Sequence, residues 1–180
     1  MRTLLDMSLA ELGEYMAELG QPSYRTSQIM RWLCRGAVIN EMTDLPASLR
    51  EKLAGEAITG LPAVADKLIS QRDGTIKLLL SLADGELIES VIMDYEHGKS
   101  VCVSSEAGCR MGCKFCASTL NGLSRKLTPG EMLGQVIVAQ RECGVRVGGV
   151  VIMGIGEPFD NYDNVVKFLR LVSAPEGLNI

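Results

Sequence analysis

Apolar positions recur at helical spacing through the first sixty residues. Leu9, Leu12, Met16 and Leu19 follow Ser8, and Ser8-Leu9-Ala10-Glu11 has the form of a capping box. Gly20 and Pro22 close that run. A second helix is expected to carry Ile29, Trp32 and Leu33, and a third, starting at Pro46, shows Leu45, Leu49 and Leu53. The period then changes. Stretches 64–70, 75–82 and 86–93 read as short strands, separated by Asp73-Gly74 and Asp84-Gly85. Asp-Gly marks a hairpin because glycine supplies positive φ cheaply. A fourth strand is expected over 99–104. After it, strands and helices alternate. Thr128-Pro129-Gly130-Glu131 is a second capping box, with proline at the first helical position. Met132, Val136, Ala139 and Cys143 line one face of the helix it opens. Residues 147–153 are almost continuously apolar, as in a parallel strand buried on both faces. Val165, Phe168, Leu169 and Val172 mark the last helix.

A strand–helix–strand–helix run implies parallel strands joined by right-handed crossovers. It stops after two strands, and two parallel strands make a poor sheet. The class is therefore α/β: a small N-terminal helical domain, then the start of a partial (β/α) barrel that reads as truncated. The boundaries expected are a helical accessory domain over 1–60, a β-hairpin linker region over 61–98, and two βα units over 99–180.

Composition narrows the function classes. With 47% hydrophobic and 22% charged residues over 180, the chain is neither disordered nor fibrous. No apolar run approaches the ~18 residues of a membrane helix. An acid, Asp6, interrupts the start before a signal-peptide core can form. A soluble, cytoplasmic protein with no membrane partner is expected. The net charge of −4 argues mildly against a general nucleic-acid binder. Among the six cysteines, Cys109, Cys113 and Cys116 lie within eight residues, and without a secretion signal such a cluster points to metal or redox chemistry. Three thiolates can bind three irons of a four-iron four-sulfur (4Fe-4S) cube and leave the fourth open, whereas electron-transfer ferredoxins usually supply four cysteines. The alternative is a zinc site completed by Cys102, His97 or Cys143, although no second Cys-x2-Cys pair is present.

Cys109-x3-Cys113-x-Phe115-Cys116 resembles the signature of the radical S-adenosylmethionine (SAM) superfamily. The flanks are similar to a narrower group. Cys102-Val103-Ser104-Ser105-Glu106-Ala107-Gly108 before the cluster and Gly154-Ile155-Gly156-Glu157-Pro158 after it resemble the radical SAM RNA adenine-C2 methyltransferases of RlmN type and their Cfr-type relatives. Residues 19–32 and 42–50 resemble that family's helical accessory domain, so the resemblance covers essentially the whole chain.

The resemblance implies a fold, cofactors and roles. Cys109, Cys113 and Cys116 would hold a 4Fe-4S cluster whose open iron takes SAM, and a flavodoxin-like reductant would supply the electron. Gly156 and Glu157 would contact the methionyl ammonium of SAM; taken alone, they also fit an ordinary strand-to-helix turn. Cys102 would resolve a covalent RNA–enzyme intermediate; taken alone, it reads as a buried strand cysteine. Glu89 would be the proton acceptor. Strand alternation puts it with Leu87, Val91 and Met93, and a carboxylate on an apolar face suits that task; a solvated edge-strand glutamate is the other reading. Implied partners are large-subunit ribosomal RNA and transfer RNA. Relatives continue well past residue 180 and carry a methylated cysteine there, so the chain as given is expected to be an inactive N-terminal fragment.

Local charge bears on RNA. Residues 99–126 hold Lys99, Arg110, Lys114, Arg125 and Lys126 against Glu106, and 22–35 hold Arg25, Arg31 and Arg35 beside Tyr24 and Trp32. Solvated charge with Trp32 in the core is the competing reading. Three functions stay open: an RNA adenine methyltransferase (at C2, or at C8 as in the Cfr type), another radical SAM enzyme such as a peptide maturase, and a zinc-binding module.

Overall fold

The computed structural model describes residues 1–96 and 98–180. His97, considered above as a zinc ligand, lies outside the described residues. Both capping boxes form. Ser8 Oγ accepts the Glu11 N–H at 3.2 Å while the Glu11 carboxylate accepts the Ser8 N–H at 2.7 Å, starting α1 (Leu9–Glu18). Helices α2 (Tyr24–Cys34) and α3 (Ala47–Glu56) follow where the periodicity places them. Two-residue strands β1 (Arg2–Thr3) and β2 (Ala57–Ile58) pair in parallel and tie the two ends of this helical segment together. They are too short to carry a sequence period.

Strands β3 (Ala63–Ile69), β4 (Ile76–Ser81), β5 (Leu87–Tyr95) and β6 (Gly98–Cys102) form an antiparallel meander. Both Asp-Gly pairs turn as expected, with Gly74 at φ +72° and Gly85 at φ +89°. A small antiparallel ribbon, β7 (Glu106–Gly108) with β8 (Leu123–Lys126), comes next, then α4 (Pro129–Cys143), β9 (Gly149–Val151) and α5 (Tyr162–Val172). The main sheet has the order β3-β4-β5-β6-β9, and β9 pairs β6 in parallel. The parallel pair is therefore not an isolated two-stranded sheet, because the meander extends it on one side. The apolar run 147–153 yields a strand of only three residues; its end turns outward, with Met153 exposed. Leu169, expected on the inner face of α5, is also exposed, and Leu171 is buried instead.

One face of the sheet carries Leu78, Leu80, Ile88, Ile92 and Val101, all buried, and α4 covers it. Residues 132–139 of α4 are buried all round, because α5 and the Leu4–Asp6 turn pack on its other sides. One hydrophobic core runs from Leu4 through Val172. In its middle sits a polar side chain, Gln135. Its amide nitrogen donates to the Ser104 carbonyl at 2.9 Å, and its oxygen accepts from the Ser104 N–H and the Ser90 hydroxyl, each at 2.8 Å. Ser104 has just left β6, so this bridge satisfies backbone that no strand pairs on that side.

Gln135→Leu keeps the apolar volume but strands three buried polar groups. It is expected to lower the unfolding free energy by about 2–4 kcal/mol in urea titrations. A loss under about 0.5 kcal/mol, the range of ordinary surface changes, counts against the bridge as a structural pin.

Candidate cofactor site at the carboxyl ends of the parallel strands

The chain leaves β6 at Cys102 and β9 at Val151, and the two segments stay together beyond the strands. Val103 N–H donates to the Val151 carbonyl, Gly154 N–H to the Val103 carbonyl, and both Ser105 and Glu106 N–H groups to the Ile155 carbonyl, over 2.9–3.1 Å. The cysteine loop and the 154–158 loop are thereby held side by side. In parallel α/β sheets this end is where ligands bind.

The cysteine loop is closed at its base. Cys109 N–H donates to the Gly122 carbonyl at 3.0 Å. Gly108 sits at φ +74°, and a Cβ there would lie 2.1 Å from the Gly122 oxygen, so no other residue fits that closure. Cys109 is buried, Cys116 half-buried and Cys113 exposed. Three soft thiols on one short loop are the donor chemistry of an iron–sulfur cluster. Among the described residues, no three His, Cys, Asp or Glu side chains stand as a ready-made metal site, so the three thiols share a loop without forming a ligating triangle. Cys143 lies at the far end of α4, beside the start of β9, its thiol near the Gln140 and Val145 carbonyls. That removes it as a fourth ligand. Phe115 is 95% exposed, and Met111, Leu120, Met153 and Phe159 are exposed too, so the loop's surroundings are apolar and open.

In the adjacent loop, Gly156 takes φ +109° and packs so closely that a Cβ would lie 2.6 Å from Glu106 Cβ. Glu157 N–H donates to Glu106 Oε2 at 2.9 Å, and Glu157 Oε1 accepts from Phe159 N–H at 3.0 Å. Glu106 is fully buried, its Oε1 has no partner among the described residues, and burial pushes its carboxyl above the usual range. A second tie joins the loops: Arg110, next to Cys109, pairs with Asp160 and holds that carboxyl below the usual range. Lys126 donates to the Asp160 backbone carbonyl as well.

Cys102 and Glu89 share the uncovered face of the sheet. Val91 is opposite Cys102 in the ladder, and Glu89 lies two residues from Val91, so the two are diagonal neighbours. Burial raises the Cys102 thiol above its ordinary value, against a smaller opposite effect from the Met153 N–H. Of the two readings of Glu89, the solvated one is found. Its side chain is 40% exposed and pairs with Lys77 at 2.6 Å, because the helix covers the other face, that of Ile88, Ser90 and Ile92.

The basic stretch 99–126 is largely paired with the protein's own carboxylates. Lys99 pairs with Asp94, Arg110 with Asp160, and Arg125 with both Asp84 and Glu131. Of its five cations, Lys114 is the one without an ion pair among the described residues. On α2 and at Arg35, which caps its C-terminus, the picture differs. Arg25 stacks on Tyr24 at 4.9 Å and Arg35 on Trp32 at 5.7 Å, and Arg25, Arg31 and Arg35 have no carboxylate partner among the described residues. Trp32 is half-buried, its indole N–H donating to Asp44 at 2.6 Å.

Sequence reasoning missed four supporting residues: Glu106, Gln135, Asp160 and Asn161. Gln135 is signalled faintly as an amide within an apolar helical run. Asn161 looks like an N-cap, yet its amide instead donates to the Ser105 and Leu127 carbonyls, each at 2.8 Å.

Residues 2–59 match the family model described as the ribosomal RNA large subunit methyltransferase N-terminal domain. The whole chain is 51% identical to a protein of Clostridium perfringens named "Probable dual-specificity RNA methyltransferase RlmN", of which it covers 52%. It is 45% identical to the same-named protein of Clostridium acetobutylicum, again over all of this chain and 52% of the relative. A crystal structure of a radical SAM methyltransferase from Sphaerobacter thermophilus superposes with a TM-score of 0.93 at 40% identity, over all of this chain and 54% of that one. The chain thus spans about half the length of the curated relatives it matches. In its cysteine spacing, its mixed sheet and its similarity from end to end, the chain corresponds to the N-terminal portion of the RlmN-type radical SAM methyltransferases it matches.

Proposed function

We propose that this chain is the cofactor-holding half of a radical SAM enzyme that methylates C2 of adenosine in large-subunit ribosomal RNA and transfer RNA. The observation that carries the reading is the convergence of three features at one end of the sheet: the cysteine loop, the 154–158 loop, and the open face bearing Cys102 and Glu89. Cys109, Cys113 and Cys116 would hold a 4Fe-4S cluster. When bound, that group supplies reductive cleavage of SAM, chemistry no side chain offers. Glu157 suits the methionyl ammonium as a charge-assisted acceptor, and Gly156 lets the backbone come close. The raised Cys102 thiol stays protonated until a base removes its proton. Glu89, a diagonal neighbour of Cys102 on the same face, would act as the proton acceptor once Lys77 is displaced. The electron donor would be a flavodoxin-like protein. No helix among the described residues is long and apolar enough to cross a membrane.

Anaerobic reconstitution tests the cofactor. The chain is expected to take up about four irons and four sulfides, as the cluster type requires. Cys113→Ala is expected to lose most of that iron while keeping its fold. Colourless protein with one zinc and no sulfide sinks the reading and favours the zinc module. Mass mapping of RNA tests the substrate. A strain lacking the gene should lose 2-methyladenosine from ribosomal and transfer RNA. An unchanged modification profile instead points to another radical SAM reaction, and loss of an 8-methyl mark to Cfr-type specificity.

The α2 arginines, not the 99–126 stretch, are the better candidates for RNA phosphates. The double change Arg31→Glu and Arg35→Glu is expected to weaken RNA binding about tenfold at low salt and to flatten its salt dependence. Lys99→Glu, at a cation already paired with Asp94, should shift it far less. Equal effects in filter binding would argue against this assignment.

A further inference from the structure

Glu106 is the most heavily buried carboxylate beside the site, and nothing in the reading above gives it a task. It begins β7, three residues before Cys109. Its exposure is 0%, one oxygen has no partner among the described residues, and the other accepts the Glu157 N–H at 2.9 Å. The stem of the side chain is the surface on which Gly156 lies: a Cβ on Gly156 would stand 2.6 Å from Glu106 Cβ and 2.8 Å from its Cγ. The Glu106 N–H itself donates to the Ile155 carbonyl at 3.1 Å. One residue therefore grips three consecutive members of the neighbouring loop, by backbone, by packing and by carboxylate. An apolar side chain would avoid the cost of an unmet buried oxygen, so the carboxylate is kept for what it accepts.

We infer that Glu106 is a positioning residue that sets the Gly156-Glu157 loop in register with the cysteine loop and thereby tunes SAM affinity without itself holding the cluster. The inference rests on the function proposed above. The Glu106 carboxylate fixes the direction of the Glu157 N–H, and hence the side from which the Glu157 side chain approaches the ligand. An amide keeps an acceptor oxygen in the same place, whereas leucine or alanine removes it.

The test compares the native chain with Glu106→Gln, Glu106→Leu and Glu106→Ala after anaerobic reconstitution. Three quantities are read: iron and sulfide content, equilibrium dialysis of labelled SAM, and hydrogen exchange at the Glu157 amide. Iron content is expected to be equal in all four. Glu106→Gln should bind SAM within about twofold of native, and the leucine and alanine variants about tenfold more weakly, with at least as large an acceleration of Glu157 exchange. Alanine adds no bulk, so misfolding of the leucine variant does not decide the matter. The inference is overturned if the alanine variant binds SAM as native does, if it loses iron in step with SAM, or if glutamine is as damaging as alanine. A native chain that loads iron yet binds no SAM overturns the proposed function instead, and this inference with it.

Discussion

The stretch from Val103 to Glu106 runs buried through the centre of the molecule after β6 has ended, and every backbone group along it needs a partner. Water cannot supply them, so the protein does. Gln135 meets both backbone groups of Ser104, and the Ile155 carbonyl takes two N–H groups. Asn161 and the Leu127 N–H share the Ser105 carbonyl. Left unmet, each group would cost about 1–3 kcal/mol, and several together would exceed the margin by which a small domain is folded. This demand draws α4, the start of α5, β8 and the 154–158 loop to one place.

The site inherits its geometry from that arrangement. Once 103–106 and 151–155 are bonded together, the cysteine loop and the Gly156-Glu157 loop have little freedom relative to each other. Gly108 closes the first loop and Gly156 lets the second lie flat on Glu106. The Arg110–Asp160 pair adds an electrostatic tie across the outer side. The sheet face with Cys102 and Glu89 stays uncovered, because α4 takes the opposite face and neighbouring side chains on a strand must point to opposite sides.

Charge illustrates a different lesson. The count of basic residues over 99–126 suggested an RNA-facing patch, yet folding brings Asp84, Asp94, Glu131 and Asp160 to those cations. Arg110–Asp160 and Arg125–Asp84 join residues far apart in the chain, and a count of basic residues takes no account of them or of the nearer acids Asp94 and Glu131. Arg25 and Arg35, at the two ends of α2, stack on Tyr24 and Trp32, and Arg31 donates to the Ser27 carbonyl, so none of the three is neutralised by a carboxylate among the described residues.

Much was legible from the residues alone, and for local reasons. Two capping boxes and two Asp-Gly turns are governed by neighbours a few positions away, and each formed as expected. The cysteine loop was legible too, since the spacing of its thiols is a local feature of the chain. What the chain could not announce was anything set by partners distant in sequence. The joining of the antiparallel meander to the parallel pair, the choice of which sheet face α4 covers and the distant pairs that neutralise the basic stretch all belong here, as does the burial of Glu106. A buried carboxylate and an exposed one look identical in a string of letters; only packing decides which of them keeps its water.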